Sequence, residues 1–209
     1  MNDLRKEVDL GFTKERFSDC SHICLIFDGE SQRQKIVSEF MAAGLKQGEL
    51  IRYFTDVTEP EEIQSWLVEM GVELPKVQAS GAFTISKAEN AYCPNGQFDP
   101  QKMINGLIPR YETARNAGYS GVRSCGEMTW ALKGYPGSER LLEYEVLLNT
   151  ISVNYPHIGM CMYDANSFDG ATLFKVLQVH PYMVAQGQII RNPYYIRPEE
   201  FTPVSGFNS

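Results

Sequence analysis

HICLIFDGESQRQKIVSEFMAAGLKQGELIRYFTD, from His22 to Asp56, is the stretch that decides the fold class. HICLIFD, His22 to Asp28, is a short apolar run closed by an acid and reads as a buried strand. Behind it Ile36, Val37, Phe40, Met41 and Leu45 recur at helical spacing, with Gly44 and Gly48 expected to end that helix. ELIRYFTD, Glu49 to Asp56, then reads as a second strand. The same alternation continues outward. Thr58 reads as an N-cap before Pro60, and Ile63, Trp66, Leu67 and Met70 form a helical stripe that stops at Gly71. A third strand is expected near residues 82–85, followed by the turn-rich ENAYCPNGQFDP, Glu89 to Pro100. Asp99 caps a helix that carries Met103, Ile104, Leu107, Ile108 and Tyr111 on one face and should bend at Pro109. A strand from Ser120, a helix from Ser138 to about Ile151, a strand over His157 to Asp164 and a helix from Gly170 to His180 complete the series. Met183 to Arg191, pivoting at Gly187, reads as a terminal hairpin.

Strand–helix–strand repeated in this way implies a mostly parallel sheet with right-handed crossovers and helices on both faces. The expected organisation is a lead-in over residues 1–17, one α/β domain over 18–200 and a tail over 201–209. Among the 209 residues, 43% are hydrophobic and 22% charged, a globular composition rather than a disordered one. With 19 basic against 26 acidic residues the net charge is −7 and no basic stripe is present, so direct nucleic-acid binding is not expected. The longest uncharged stretch, Val146 to Tyr163, is broken by Asn149, Asn154, Pro156 and His157, which argues against a membrane span. The N-terminus lacks the apolar core of a signal peptide, and five cysteines, an odd number, fit a reducing compartment. A cytoplasmic protein is expected.

In parallel sheets the ligand crevice lies beyond the carboxyl ends of the strands. That rule selects Asp28 and Glu30 after the first strand, Asp56 after the second, and Tyr92 and Cys93 in the long loop. Cys125 and Glu127 follow at the fourth strand, Tyr163 and Asp164 at the fifth, and Trp130 adds an aromatic wall. A phosphate loop needs several glycines, a lysine and a following Ser or Thr. FDGESQRQK has one glycine and two acids, so nucleotide hydrolysis is disfavoured. Cys24 and Cys161 read as small hydrophobes within strands. Cys93 and Cys125 are better placed for chemistry, although neither sits in a nucleophile signature. His22, His157 and His180 are scattered with no metal-ligand spacing, so no metal or other cofactor is expected. Glu145 falls inside the apolar stripe of its helix, where a carboxylate needs a partner unless it reaches water at the edge. Arg123, in an otherwise apolar strand, is the expected partner, either of Glu145 or of Glu127.

Five segments carry a family resemblance beyond the His22–Asp56 stretch: AYCPNGQFDPQKM, YSGVRSCGEMTWAL, GSERLLEYEVLLN, CMYDANSF and HPYMVAQGQIIRNPYYI extend it along the chain. Together they resemble the MEDS domain, the methanogen and methylotroph DcmR sensory domain, over about residues 18–200. The resemblance implies a RecA/KaiC-like three-layer core that has lost its phosphate loop. It also implies a non-catalytic sensory role toward a one-carbon or simple hydrocarbon derivative. Family motifs map to His22, Tyr92, Cys93, Arg123, Gly126, Glu127, Trp130, Glu143, Glu145, Tyr163, Asp164, His180 and Tyr194. Family members occur with DNA-binding domains or histidine kinases, or alone. Output from this chain is therefore expected through a partner kinase, a transcription regulator or a homodimer. Two alternatives stay open, a divergent RecA-like enzyme using Glu127 as base and a pure protein-interaction module.

Overall fold

The computed structural model describes residues 6–152, 155–185 and 187–201. A seven-stranded sheet is built from β3 (Ser21–Phe27), β4 (Leu50–Thr55), β5 (Phe83–Lys87), β6 (Val122–Glu127), β7 (His157–Asp164), β8 (Tyr182–Ala185) and β9 (Gln188–Arg191). Their order across the sheet is β5-β4-β6-β7-β3-β8-β9, all parallel except the antiparallel β8–β9 hairpin. A separate hairpin, β1 (Glu7–Asp9) with β2 (Arg16–Ser18), occupies the lead-in, where the sequence had shown only mixed charge.

Strand alternation sorts the core into two layers. Ile23, Leu25 and Phe27 of β3, Ile51 and Tyr53 of β4, Cys125 of β6 and Met160 and Met162 of β7 face one side. They pack there against α1 (Glu30–Lys46), α2 (Pro60–Glu69) and α3 (Leu74–Ala79). Cys24, Cys161 and Tyr163 face the other side. They pack with α4 (Ala88–Tyr92), α5 (Pro100–Asn116), α6 (Leu141–Ser152) and α7 (Gly170–Val179). The result is the expected three-layer α/β sandwich.

Several local expectations need correction. Gly44 does not end the first helix but lies buried inside it, where a Cβ would come within 2.7 Å of Ile51 and 2.8 Å of Arg123. Thr58 is not the N-cap of α2, because that position is Glu59. Thr58 instead turns its hydroxyl and its N–H into the site described below. The turn-rich loop contains α4, and α3 was not anticipated. The helix expected from Ser138 begins as a 3₁₀ turn, Ser138–Arg140, before α6. Asp99 does cap α5, accepting the Lys102 N–H at 3.1 Å, and that helix continues through Pro109. The expected tail lies outside the described residues beyond Phe201.

Candidate functional site

At the carboxyl end of the sheet, β3 runs through Asp28 and Gly29 into α1, whose first residue is Glu30. Arg33 lies one turn further, on the helix face shared with Ile36, Val37 and Phe40, so helical spacing drives a guanidinium inward. It is only 2% exposed and lies over the rings of Phe27 (5.2 Å) and Trp66 (5.1 Å). Its Nε and Nη2 donate to Glu30 Oε2 at 2.8 and 2.6 Å. Nη2 also donates to Thr58 Oγ1, and Nη1 donates to Glu127 Oε1 at 3.0 Å.

Glu127, the last residue of β6, is the centre of this cluster. Its Oε1 also accepts from the Tyr53 hydroxyl at 2.8 Å, and its Oε2 accepts the N–H groups of Asp56 and Val57, both at 2.7 Å, and of Thr58 at 3.2 Å. Burial works to raise its pKa, yet these donors around Thr58, Val57, Asp56 and Tyr53 hold the carboxyl below its ordinary range. Asp56 is fixed by Lys133 Nζ at 2.6 Å and Thr129 Oγ1 at 2.8 Å. Asp164 closes the next turn through Ser167 and Asn166, and Asn166 also donates to the Asp28 carbonyl. Asp28 and Glu30 themselves are exposed. The place where a phosphate would meet a helix N-terminus thus presents a carboxylate, and the nearest cation is already bound.

The other sequence-selected residues are packed rather than convergent on open space. Tyr92 and Trp130 stack at 4.8 Å with 12° between their planes, with Phe98 and Tyr144 against them. Cys93 is buried beside this group, and burial followed by Glu89 pushes its thiol pKa up. Cys125 faces the opposite layer, its pKa pushed up to about 12 by burial. Tyr163 is fully buried and donates to Glu145 Oε1 at 2.6 Å.

The expected Arg123–Glu145 pair is overturned, and so is the Arg123–Glu127 alternative. Arg123 shares its face of β6 with Cys125 and reaches toward α1, whereas α6 and Glu145 lie on the other side of the sheet. Arg123 pairs with buried Glu49 through Nε, donates to the carbonyls of Phe40 (2.9 Å) and Asp9 (2.6 Å), and lies over the Phe40 ring. The scattered histidines are also corrected. His22 and His180 meet at 4.1 Å, tilted by 41°, beside Glu145, and Cys161, expected as a simple hydrophobe, joins them.

The large cleft is elsewhere, about 880 Å³ between α5 and the second face of β4, β5 and β6. There the strands present Arg52, Thr84, Ser86 and Ser124, too short or too polar to fill the layer, with Leu50, Phe54 and Val122 beside them. Helix α5 supplies Met103, Leu107 and Ile108, and Tyr111 meets Tyr155 at 5.3 Å. His157 lines the cleft with Nε2 2.8 Å from Ser124 Oγ, while its buried Nδ1 has no hydrogen-bond partner among the described residues. Burial, then His22, lowers its pKa to about 4, so the ring is neutral near pH 7. None of the sequence-selected ligand residues lines this cleft.

A parallel-sheet α/β domain with its phosphate position filled is a relative of KaiC-like proteins in fold. A KaiC-like protein of Pyrococcus horikoshii OT3 superposes with a TM-score of 0.58 at 13% identity, covering 86% of this chain and 79% of that one. The flagellar accessory protein FlaH of Methanocaldococcus jannaschii gives 0.53 at 15% identity, covering 81% and 75%. The chain belongs to the MEDS family, the methanogen/methylotroph, DcmR sensory domain, whose model matches residues 21–181. It is similar to the transcriptional repressor DcmR of Methylorubrum extorquens, 26% identical over 162 residues, which are 76% of this chain and 57% of the repressor. The chain therefore spans little more than half the length of that relative. The family and this relative support a regulatory or sensory role.

Proposed function

We propose that this chain is a non-catalytic, cytoplasmic sensory domain that binds a one-carbon or simple hydrocarbon derivative in the cleft beneath α5. It passes the signal to a transcription regulator, a histidine kinase or a second copy of itself. The observation that carries the reading is the cleft itself: apolar side chains of α5, β4 and β6 with a few placed polar groups, among them the Ser124–His157 pair. Small-molecule sites combine an apolar lining with a few placed polar groups in this way. Family membership and the repressor relative point to the sensory class and to the cytoplasm. The non-catalytic reading rests on Glu127, whose oxygens already accept from five partners and leave no lone pair to serve as a base.

A thermal-shift panel with MgATP, methanol, methylamines, methylated thiols, halomethanes and acetate tests this. A ligand at a hundred times its dissociation constant adds ~2.7 kcal/mol and raises the midpoint by several degrees. The expected result is a shift with a one-carbon compound that disappears in Ser124→Leu. A shift with MgATP alone would overturn the sensor reading.

A further inference from the structure

Glu145, His22, His180 and Cys161 come from four elements: α6, β3, the C-terminus of α7 and β7. The backbone therefore brings four metal-ligating residue types to one point from widely separated places in the chain. All four are buried, and one ligand atom from each lies within 4.8 Å of the others. The individual edges are short: His22 Nε2 to Glu145 Oε2 3.0 Å, His180 Nε2 to Glu145 Oε2 3.5 Å, Cys161 Sγ to His22 Nε2 3.4 Å and Cys161 Sγ to Glu145 Oε2 3.5 Å. Zinc bonds of ~2.0–2.3 Å to nitrogen, oxygen and sulfur give tetrahedral edges of ~3.3–3.8 Å. The four edges above, 3.0–3.5 Å, are close to that figure, and the other two lie within 4.8 Å.

The surrounding hydrogen bonds orient both rings. Asn149 Nδ2 donates to the carbonyls of Glu145 and Val179, so its Oδ1 must face His22 Nδ1, 2.9 Å away, as an acceptor. His180 Nδ1 lies 2.8 Å from the Val176 carbonyl. Both rings therefore donate from Nδ1 and turn Nε2 toward the carboxylate. Each Nε2 facing Glu145 then needs either a proton of its own or a cation between it and the carboxylate. His180 Nε2 is indeed a buried nitrogen with no hydrogen-bond partner among the described residues. Tyr163 donates to Oε1 of Glu145 and leaves Oε2 for the centre. Metal-bound histidines and carboxylates are held by such outer partners.

We propose that His22, Glu145, Cys161 and His180 bind a divalent transition-metal ion, zinc foremost, in a closed tetrahedral site that ties α6 and α7 to the sheet. The metal–sulfur bond forms as the Cys161 thiol proton leaves to solvent, so the bound ion faces one thiolate, one carboxylate and two neutral imidazoles. Four protein ligands leave no open position, which makes the site structural, and an ion this deeply buried enters as the chain folds.

The test is to unfold the full chain in urea with a chelator and refold it with Zn²⁺ or Co²⁺. Metal content after desalting, the cobalt spectrum and the melting midpoint are then measured. The expected result is about one metal per chain, a thiolate-to-cobalt charge-transfer band that Cys161→Ser removes and Cys93→Ser keeps, and a midpoint several degrees higher with zinc than without. His180→Gln provides a second variant, expected to weaken metal retention at least tenfold if Cys161→Ser folds poorly. No retained metal and an unchanged midpoint, or a cobalt spectrum indifferent to Cys161→Ser, would overturn the proposal.

Discussion

Arg33 and Glu127 are held against each other at 3.0 Å with almost no exposure, so each offsets much of the cost of burying the other. Breaking such a pair from one side leaves an uncompensated buried charge and costs about 3–5 kcal/mol, while removing both charges costs less. Urea unfolding should therefore show Arg33→Met strongly destabilised and Arg33→Met/Glu127→Gln partly restored. The same logic separates Glu49, which pairs with Arg123, from Glu145, which lies across the sheet. Arg123→Met should couple with Glu49→Gln by roughly 0.5–3 kcal/mol, whereas Arg123→Met and Glu145→Gln should add within about 0.5 kcal/mol. His157 gives a pH signature. Its pKa is about 4 folded against 6.5 for the free side chain, so above 6.5 both states are neutral. Between those values only the unfolded chain takes the proton, and stability falls as pH drops, by at most ~1.4 kcal/mol per pH unit, levelling below about 4. His157→Gln should make that part of the unfolding profile shallower. At this scale the sequence showed that Glu145 and Arg123 sit where charges need partners, because periodicity reports burial. It could not pair them, because the side of the sheet on which a helix packs is set by the crossover and not by the helix's own stripe.

The long elements were legible for the same reason: α1, α5 and the strands of the sheet repeat apolar residues often enough to reveal their period. Short elements were not. Helix α3 has six residues with Pro75 at its start, and the β1–β2 hairpin has three residues per strand, too few for a pattern to emerge. Gly44 shows a residue type read correctly as special and assigned the wrong reason. The sequence pattern presents it as a helix stop, whereas its missing side chain lets α1 approach Ile51 and Arg123. Gly44→Ala should raise helix propensity by roughly 1 kcal/mol and still lower net stability by about 1–3 kcal/mol through overpacking. Gly137→Ala should also destabilise, since Gly137 has φ +89° and a Cβ there would lie 2.1 Å from the Phe98 carbonyl oxygen. Thermal melts of the two variants check both expectations, and a stabilised Gly44→Ala would contradict the close-approach account.

Across the whole molecule, the strand-end rule led to Asp28, Glu30, Asp56 and Glu127, and the chain does gather Asp56 and Glu127 there. It gathers them into a closed network with Arg33, Tyr53 and Thr58, and the open volume lies under α5 instead. The signal for that cleft was present as Arg52, Thr84, Ser86 and Ser124, polar residues at inward positions of neighbouring strands. Strand order, which no local pattern encodes, is what places them side by side. The most direct measurement is methyl NMR of the chain titrated with the compound that raises its melting midpoint. The account predicts shifts concentrated on Leu50, Ile85, Leu107, Ile108 and Val122 around the cleft, with Val57 at the strand ends unmoved. Shifts centred on Val57 and Met128, with the α5 methyls silent, would contradict it.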